Sequence, residues 1–149
     1  MSIHIATASD LEDVASLFND YRIFYQQVDN LQACRDFIRD NLHQHKSKIF
    51  LLRDATASAL AFCQIYPATC SVAMRPYYYL SDLYVRPEAR KAGHARELMS
   101  FVADHVKAEG AQRLSLETAH TNLIAQHLYT RLGYQREREF VTFHRLLNG

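Results

Sequence analysis

The sequence predicts an α/β protein in which a mixed β-sheet carries helices on both faces. Three observations carry that prediction. Strand-like and helix-like segments follow one another in the order β-α-α-β-β-β-α-β-α-β. The three central strands come in succession, as in an antiparallel meander, whereas the later ones are separated by helices, as parallel crossovers require. No repeat, linker or low-complexity stretch interrupts the order. At 149 residues and 48% hydrophobic composition, residues 1–149 are expected to form a single domain with a proper core.

Composition narrows the function classes. A formal net charge of +1 gives no general attraction to polyanions, so nucleic-acid partners are not indicated. No apolar run approaches the ~18 residues of a membrane span, and the opening Met-Ser-Ile-His-Ile lacks a secretory signal pattern. Cys34, Cys63 and Cys70 show no paired spacing, as expected of packed thiols in a reducing compartment. Cytoplasm is the expected location. Eight histidines raise a metal hypothesis, but no His-Glu-x-x-His or His-x-x-x-His spacing occurs, and no metal is expected. His105 lies off the apolar stripe of its helix and is expected to be solvated.

Ile3–Thr7 reads as a short first strand. Ser9-Asp10-Leu11-Glu12 has the form of a capping box opening a helix with Val14, Leu17, Phe18 and Tyr21 on or near one face. Asp29 with Gln32 suggests the start of a second helix, striped by Leu31, Cys34, Ile38 and Leu42. Phe24 and Tyr21 are read as core packing, whereas Tyr25, near the loop between the helices, is a candidate substrate contact. Ile49–Arg53 and Ala59–Tyr66 read as hairpin strands, with Pro67–Val72 as connector to a third strand from about Met74 to Val85. Tyr77, Tyr78 and Tyr79 in that strand are read as sheet packing.

The stretch from Tyr79 to Glu109 organises the chain. Residues 79–85 are mostly apolar, as in a strand buried on both faces. Ala95, Leu98, Met99, Val102 and Val106 then form one helical stripe, and Gly110 sits where a helix ends. Between strand and helix lies Arg90-Lys91-Ala92-Gly93-His94-Ala95-Arg96. The N–H groups that open a helix lack intrahelical partners and point forward. With the helix dipole and the charges of Arg90, Lys91 and Arg96, they suit an anion. Downstream, Arg113–Thr118 reads as a strand with Leu114 and Leu116 on one face and Ser115 and Glu117 on the other. A helix follows from about Leu123 to Leu132. In a last strand, Phe140, Thr142, His144 and Leu146 alternate with Val141, Phe143, Arg145 and Leu147.

Arg90-x-x-Gly93-x-Ala95 resembles the pyrophosphate-binding loop of the GNAT superfamily of acetyl-CoA-dependent N-acetyltransferases. Asn122-x-x-Ala125-x-x-x-Tyr129-x-x-x-Gly133-Tyr134 resembles that family's second signature. The element order is similar as well, so the resemblance spans essentially the whole chain. It implies a GNAT-like fold in which the strand matching Leu80–Val85 is splayed from the strand matching Arg113–Thr118. Pantetheine would enter that gap and pair with Leu83, Tyr84 and Val85. Arg90, Lys91, Ala92, Gly93, His94, Ala95 and Arg96 would hold the pyrophosphate, with Asn122 and Tyr129 also at the coenzyme. Two consecutive helices after the first strand would wall the acceptor site.

The implied reaction is acetyl transfer from acetyl-CoA to a primary amine, on a small molecule or a peptide, by direct attack in a ternary complex. Tyr129 matches the family's general acid; on the residues alone it is equally a packed helix tyrosine. Asn122 is a coenzyme contact or a helix cap. The spermidine/spermine branch has Leu-Glu-Asp where this chain has Leu80-Ser81-Asp82, so the glutamate assigned there as base is replaced by Ser81. Asp82, Glu117 and His120 are the remaining base candidates, although in a regular strand Asp82 points away from the face of residue 81. The alternative is a non-catalytic acyl-CoA-binding or regulatory module of the same fold. The sequence leaves a homodimer open.

Overall fold

The computed structural model describes residues 1–149 and has an α/β architecture. Its main elements are β1 (Ser2–Ile5), α1 (Leu11–Phe24), α2 (Leu31–His43), β2 (Lys48–Arg53), β3 (Ala59–Cys70), β4 (Arg75–Val85), α3 (His94–Ala108), β5 (Leu114–Leu116) and α4 (Leu123–Arg131). They fall into two compact units, Met1–Glu117 and Thr118–Gly149. No helix is long and apolar enough to cross a membrane.

In the first unit the strands lie in the order β1-β2-β3-β4-β5. The first four pair antiparallel, and β4 pairs parallel with β5. This is the mixed sheet expected of a meander followed by a helical crossover. Val14, Leu17 and Phe18 of α1 and Cys34 and Ile38 of α2 pack against Ile49, Leu51, Phe62 and Tyr84 on one face. On the other face α3 buries Leu98, Met99, Val102 and Val106, and the Phe50 ring meets Phe101 and His105. Burial on both sides explains why β2 is a continuous apolar run, Ile49-Phe50-Leu51-Leu52. His105 is accordingly half-buried against Phe50 and hydrogen-bonded to Lys48, not solvated.

Several boundaries differ from the sequence reading, each for a local reason. The capping box sits at Thr7 and Asp10, where Thr7 N–H donates to Asp10 Oδ2 at 2.9 Å. Arg53 on β2 donates to the other Asp10 oxygen at 2.8 Å, whereas Glu12 accepts from Arg35 of α2. Asn30 caps α2 by accepting from Ala33 N–H at 3.0 Å, while Asp29 accepts from the Asn19 side chain. Strand β3 runs on through Pro67 to Cys70. Pro67 is tolerated because β2 pairs with β3 only as far as Ile65, so the missing donor at residue 67 costs no ladder bond on that side.

The second unit contains α4, whose N-cap Asn122 accepts from Ala125 N–H at 3.1 Å. Within this unit the rings of Tyr129 and Tyr134 lie 5.9 Å apart. The strand expected over residues 140–147 is not formed; residues 140–149 carry no regular structure. Alternation says which side chains would share a face, but a strand exists only where its backbone finds partners.

Phe62 is fully buried and touches the rings of Phe18 and Tyr21. Phe62→Ala is expected to destabilise the protein by about 3–5 kcal/mol, read as a lower urea midpoint at unchanged slope.

Candidate active site

The site begins with an irregularity in β4. Gln64 on β3 faces Asp82, but the next residue, Ile65, faces Leu80, so Ser81 is an extra residue on β4. Such a bulge bends its strand and interrupts the ladder. On the other edge, β4 pairs with β5 only at Tyr78↔Leu114, Tyr79↔Ser115 and Leu80↔Leu116. Pairing therefore stops at the bulge, and residues 81–85 continue without β5.

The backbone direction beyond the bulge follows from one bond. Arg86 N–H donates to the Leu60 carbonyl of β3 at 2.9 Å. Antiparallel alternation then turns the peptide groups of Tyr84 and Asp82 toward β3, and those of Leu83 and Val85 toward the edge that β5 has left. The Val85 carbonyl on that edge accepts from Arg90 Nε at 2.9 Å. Of the three expected pantetheine contacts, Leu83 and Val85 offer backbone groups to the gap. Tyr84 instead directs its ring into the core beside Phe62.

Strand β4 leads through a short turn, Pro87–Ala89, to α3. Lys91 and Gly93 both have left-handed backbone, with φ of 63° and 81°. That geometry is cheap only at glycine, so a branched residue at 93 would be strained. The first backbone bond of α3 is donated by Glu97 N–H to the Gly93 carbonyl at 3.0 Å. The N–H groups of His94, Ala95 and Arg96 thus precede the helical ladder, at the positive end of the dipole. Lys91, Ala92 and Arg96 are surface-facing, and Ala95 is half-buried. The His94 side chain is 7% exposed, so its part in the loop is its backbone. The Arg90 guanidinium lies 5.4 Å from the ring centres of both Phe24 and Tyr84.

The other side of the bulge holds a buried polar network absent from the sequence reading. Asp82 is 9% exposed and accepts from Gln64 Nε2 at 2.7 Å. Gln64 is fully buried, and its own oxygen accepts from Asn41 Nδ2 at 2.9 Å and Ser47 Oγ at 2.7 Å. Burial pushes the Asp82 carboxyl above its ordinary value, opposed by hydrogen bonds from Gln64, Tyr21 and Ser81. Burial, with the Asp82 charge second, likewise raises the Tyr21 phenol. Tyr21 donates to the Ser81 carbonyl at 3.4 Å. The available signal was Gln64 itself, one amide inside the apolar run Ala61-Phe62-Cys63-Gln64-Ile65.

Aromatic rings from the end of α1 adjoin this carboxylate. Tyr21 stands 5.1 Å from Tyr25 and 6.1 Å from Tyr84, and Phe24 stands 5.3 Å from Tyr25. Tyr25 is exposed, as a substrate contact would be, but Phe24 is exposed too and is not core. A hollow of about 430 Å³ between α1 and α2, which includes Arg22 and Cys34, shares Phe18 with this wall. Glu117 is exposed beyond β5, and its charge helps to raise the Tyr79 phenol, after burial as the first cause. His120 and Tyr129 belong to the second unit, where His120 is exposed and Tyr129 half-buried. No group of three or more His, Cys, Asp or Glu is placed to hold a metal ion.

A mixed sheet, a strand that parts from its parallel neighbour at a bulge, and an amide-lined loop opening a helix together describe an acetyltransferase of the GNAT type. The chain belongs to the Acetyltransferase (GNAT) family, whose model matches residues 11–134. It is 38% identical to an uncharacterized N-acetyltransferase of Bacillus subtilis, YhfO, over 96% of this chain and 95% of that one. It is 28% identical to an aminoglycoside N(6')-acetyltransferase type 1 of Serratia marcescens, over 75% and 78% of the two chains. Among solved structures, that of a probable acetyltransferase superposes with a TM-score of 0.95 at 29% identity, covering 100% of this chain and 99% of that one.

The elevated Asp82 carboxyl makes a pH prediction. A carboxyl whose folded value lies above its unfolded one binds its proton more tightly when folded, so its contribution falls as pH rises through that interval. Asp82→Asn removes this titration. Its stability relative to wild type is expected to improve as pH rises from 3.8, the ordinary value, toward neutrality, in urea unfolding run across pH. A difference independent of pH would contradict the burial argument.

Proposed function

We propose that the protein is an N-acetyltransferase that moves the acetyl group of acetyl-CoA to a primary amine within a ternary complex. The observation that carries this is the loss of β4–β5 pairing after Leu80 and Leu116, which leaves the edge of Leu83 and Val85 beside an amide-lined loop. Residues 1–149 are read as one acetyltransferase domain, working in the cytoplasm.

The residues present suit acetyl-CoA. Leu83 and Val85 would pair with the pantetheine amides. The backbone of Lys91 to Arg96, with the Lys91 and Arg96 side chains, would hold the pyrophosphate through N–H groups and charge. The coenzyme supplies an activated acetyl thioester. Asp82 is the base of choice over Glu117 and His120, because it is buried and its carboxyl is raised toward neutrality. A base poised nearer the working pH both takes and releases protons efficiently. The bulge at Ser81 interrupts the ladder next to Asp82.

In the reaction the amine nitrogen forms a bond to the thioester carbonyl carbon and the carbon–sulfur bond breaks. Asp82 receives the proton lost by nitrogen, and the Tyr129 hydroxyl gives a proton to the departing sulfur. Phenol and thiol are of comparable basicity, which makes that transfer nearly balanced. Fixing both reactants in one cleft supplies much of the rate. The aromatic wall of Tyr21, Phe24, Tyr25 and Tyr84 supports a small amine with an apolar or ring-bearing body as acceptor. The name of the Serratia relative also supports a small-molecule acceptor.

Two variants test this. With acetyl-CoA and a panel of small amines, thiol release is expected from wild type, and Tyr129→Phe should lower kcat by about 10²-fold or more at similar KM for acetyl-CoA. Tight coenzyme binding without thiol release on any amine would favour a non-catalytic acyl-CoA-binding module instead. Gly93→Val forces a branched residue into left-handed backbone at a cost of about 1–3 kcal/mol. It is expected to weaken coenzyme A binding roughly tenfold or more in calorimetry. Wild-type affinity in the folded variant would displace the loop from its proposed role.

A further inference from the structure

The hollow between α1 and α2 is mostly apolar, lined by Phe18, Val28, Ala33 and Phe37, and its volume of about 430 Å³ suits a small organic molecule. Phe18 joins it to the aromatic wall, since its ring stacks with Phe37 at 5.4 Å and with Tyr21 at 6.2 Å. The Tyr21 hydroxyl in turn donates to the Ser81 carbonyl, next to Asp82. A continuous aromatic surface thus runs from the hollow to the bulge in β4.

One cation stands in the lining. Arg22 is half-buried there, and its Nη1 donates only weakly to the Cys34 sulfur, at 3.9 Å. The other arginines around the two helices have carboxylates: Arg35 has Glu12, Arg39 has Asp36, Arg53 has Asp10 and Arg86 has Asp20. Arg22 is paired with none. The acidic residue of the adjoining loop, Asp29, accepts instead from Asn19 Nδ2 at 2.9 Å. Asn19 is buried, and its own oxygen accepts from Asn30 N–H at 3.1 Å and from the Cys34 thiol at 3.6 Å. A neutral amide therefore fixes the loop carboxylate and leaves the guanidinium unmatched.

The missing partner is an anion. Asn30 and Ala33, which line the hollow, belong to the N-terminal end of α2, where the helix dipole also favours negative charge. A lone guanidinium in apolar surroundings matches one carboxylate, which it can hold by two parallel hydrogen bonds. A phosphate group, with about 1.5 to 2 negative charges, would be left partly uncompensated. We infer that the hollow takes the far end of the acceptor: an amino carboxylate whose apolar body lies along Phe18 and Tyr21, with Arg22 holding the carboxylate and the amine presented at the bulge. This rests on the acetyltransferase reading and names the class of its acceptor.

The test measures thiol release from acetyl-CoA with matched pairs, 4-(aminomethyl)benzoate against 4-(aminomethyl)benzamide and 6-aminohexanoate against 6-aminohexanamide. Each pair presents the same amine and differs in one charge. Arg22→Gln has no ion pair to lose and is expected to fold. It should raise KM for the acids about tenfold or more at similar kcat, and change KM for the amides less than about twofold. Equal effects on acid and amide, or no effect on either, overturn the proposal and leave acetyl transfer standing. A readout independent of turnover uses 4-methylbenzoate, which has no amine. It is expected to shift the Arg22 Nε–H and Cys34 amide resonances, whereas 4-methylbenzamide should leave them nearly unmoved; equal shifts, or none, overturn the subsite. Thiol release with no amine, while 4-methylbenzoate still binds at Arg22, would sink the acetyl-transfer reading and support the subsite.

Discussion

The site depends on one constraint: β4 cannot pair with β5 along its whole length. One extra residue, Ser81, breaks the register with β3 between Asp82 and Leu80, and the parallel ladder ends at that level. Backbone donors and acceptors that a sheet would normally consume are left on the Leu83–Val85 edge. A ligand with amides of its own can satisfy them, as an added strand would. The bulge and the helix-opening loop stand a few residues apart on one chain, so a long ligand meets both without any further framework.

The same bulge sets the electrostatics. Asp82 sits on the sheet face covered by α1 and α2, where burial raises its carboxyl. It remains tolerable because Gln64 donates to it, and Gln64 is oriented by Asn41 and Ser47. A chain of fully matched partners is how a polar group survives in a core. Each link comes from a different element: α2, the segment before β2, β3 and β4. The carboxylate is therefore positioned by the fold, and a solvent-facing aspartate on a loop would have neither its raised proton affinity nor its fixed direction.

Much of this was legible in the sequence. The loop Arg90–Arg96 and the stripe of α3 follow from periodicity and from one glycine, and Leu98, Met99, Val102 and Val106 are buried as that period requires. The bulge was not legible, because one residue too many in a strand leaves no periodic mark. Strand alternation alone therefore says nothing of the break in the ladder between Leu80 and Asp82. The first cap was misplaced from Thr7 to Ser9 because Arg53, distant in sequence, holds Asp10, while Glu12 is taken up by Arg35 of α2. Phe24 was misassigned for a similar reason. Its spacing suits a core, but it lies at the last residue of α1 and is 60% exposed, and the Arg90 cation lies over its ring. The pattern of residues 140–147 is real, but pattern alone does not say where the backbone partners are.

The most direct test of the account follows the backbone amides themselves during titration with coenzyme A, by ¹H–¹⁵N correlation spectra. Large shift changes are expected at Leu83 and Val85 and from Lys91 to Arg96, and much smaller ones at Tyr84, whose amide faces β3. Saturation by coenzyme A with those resonances unmoved, and changes elsewhere on the sheet, would contradict it.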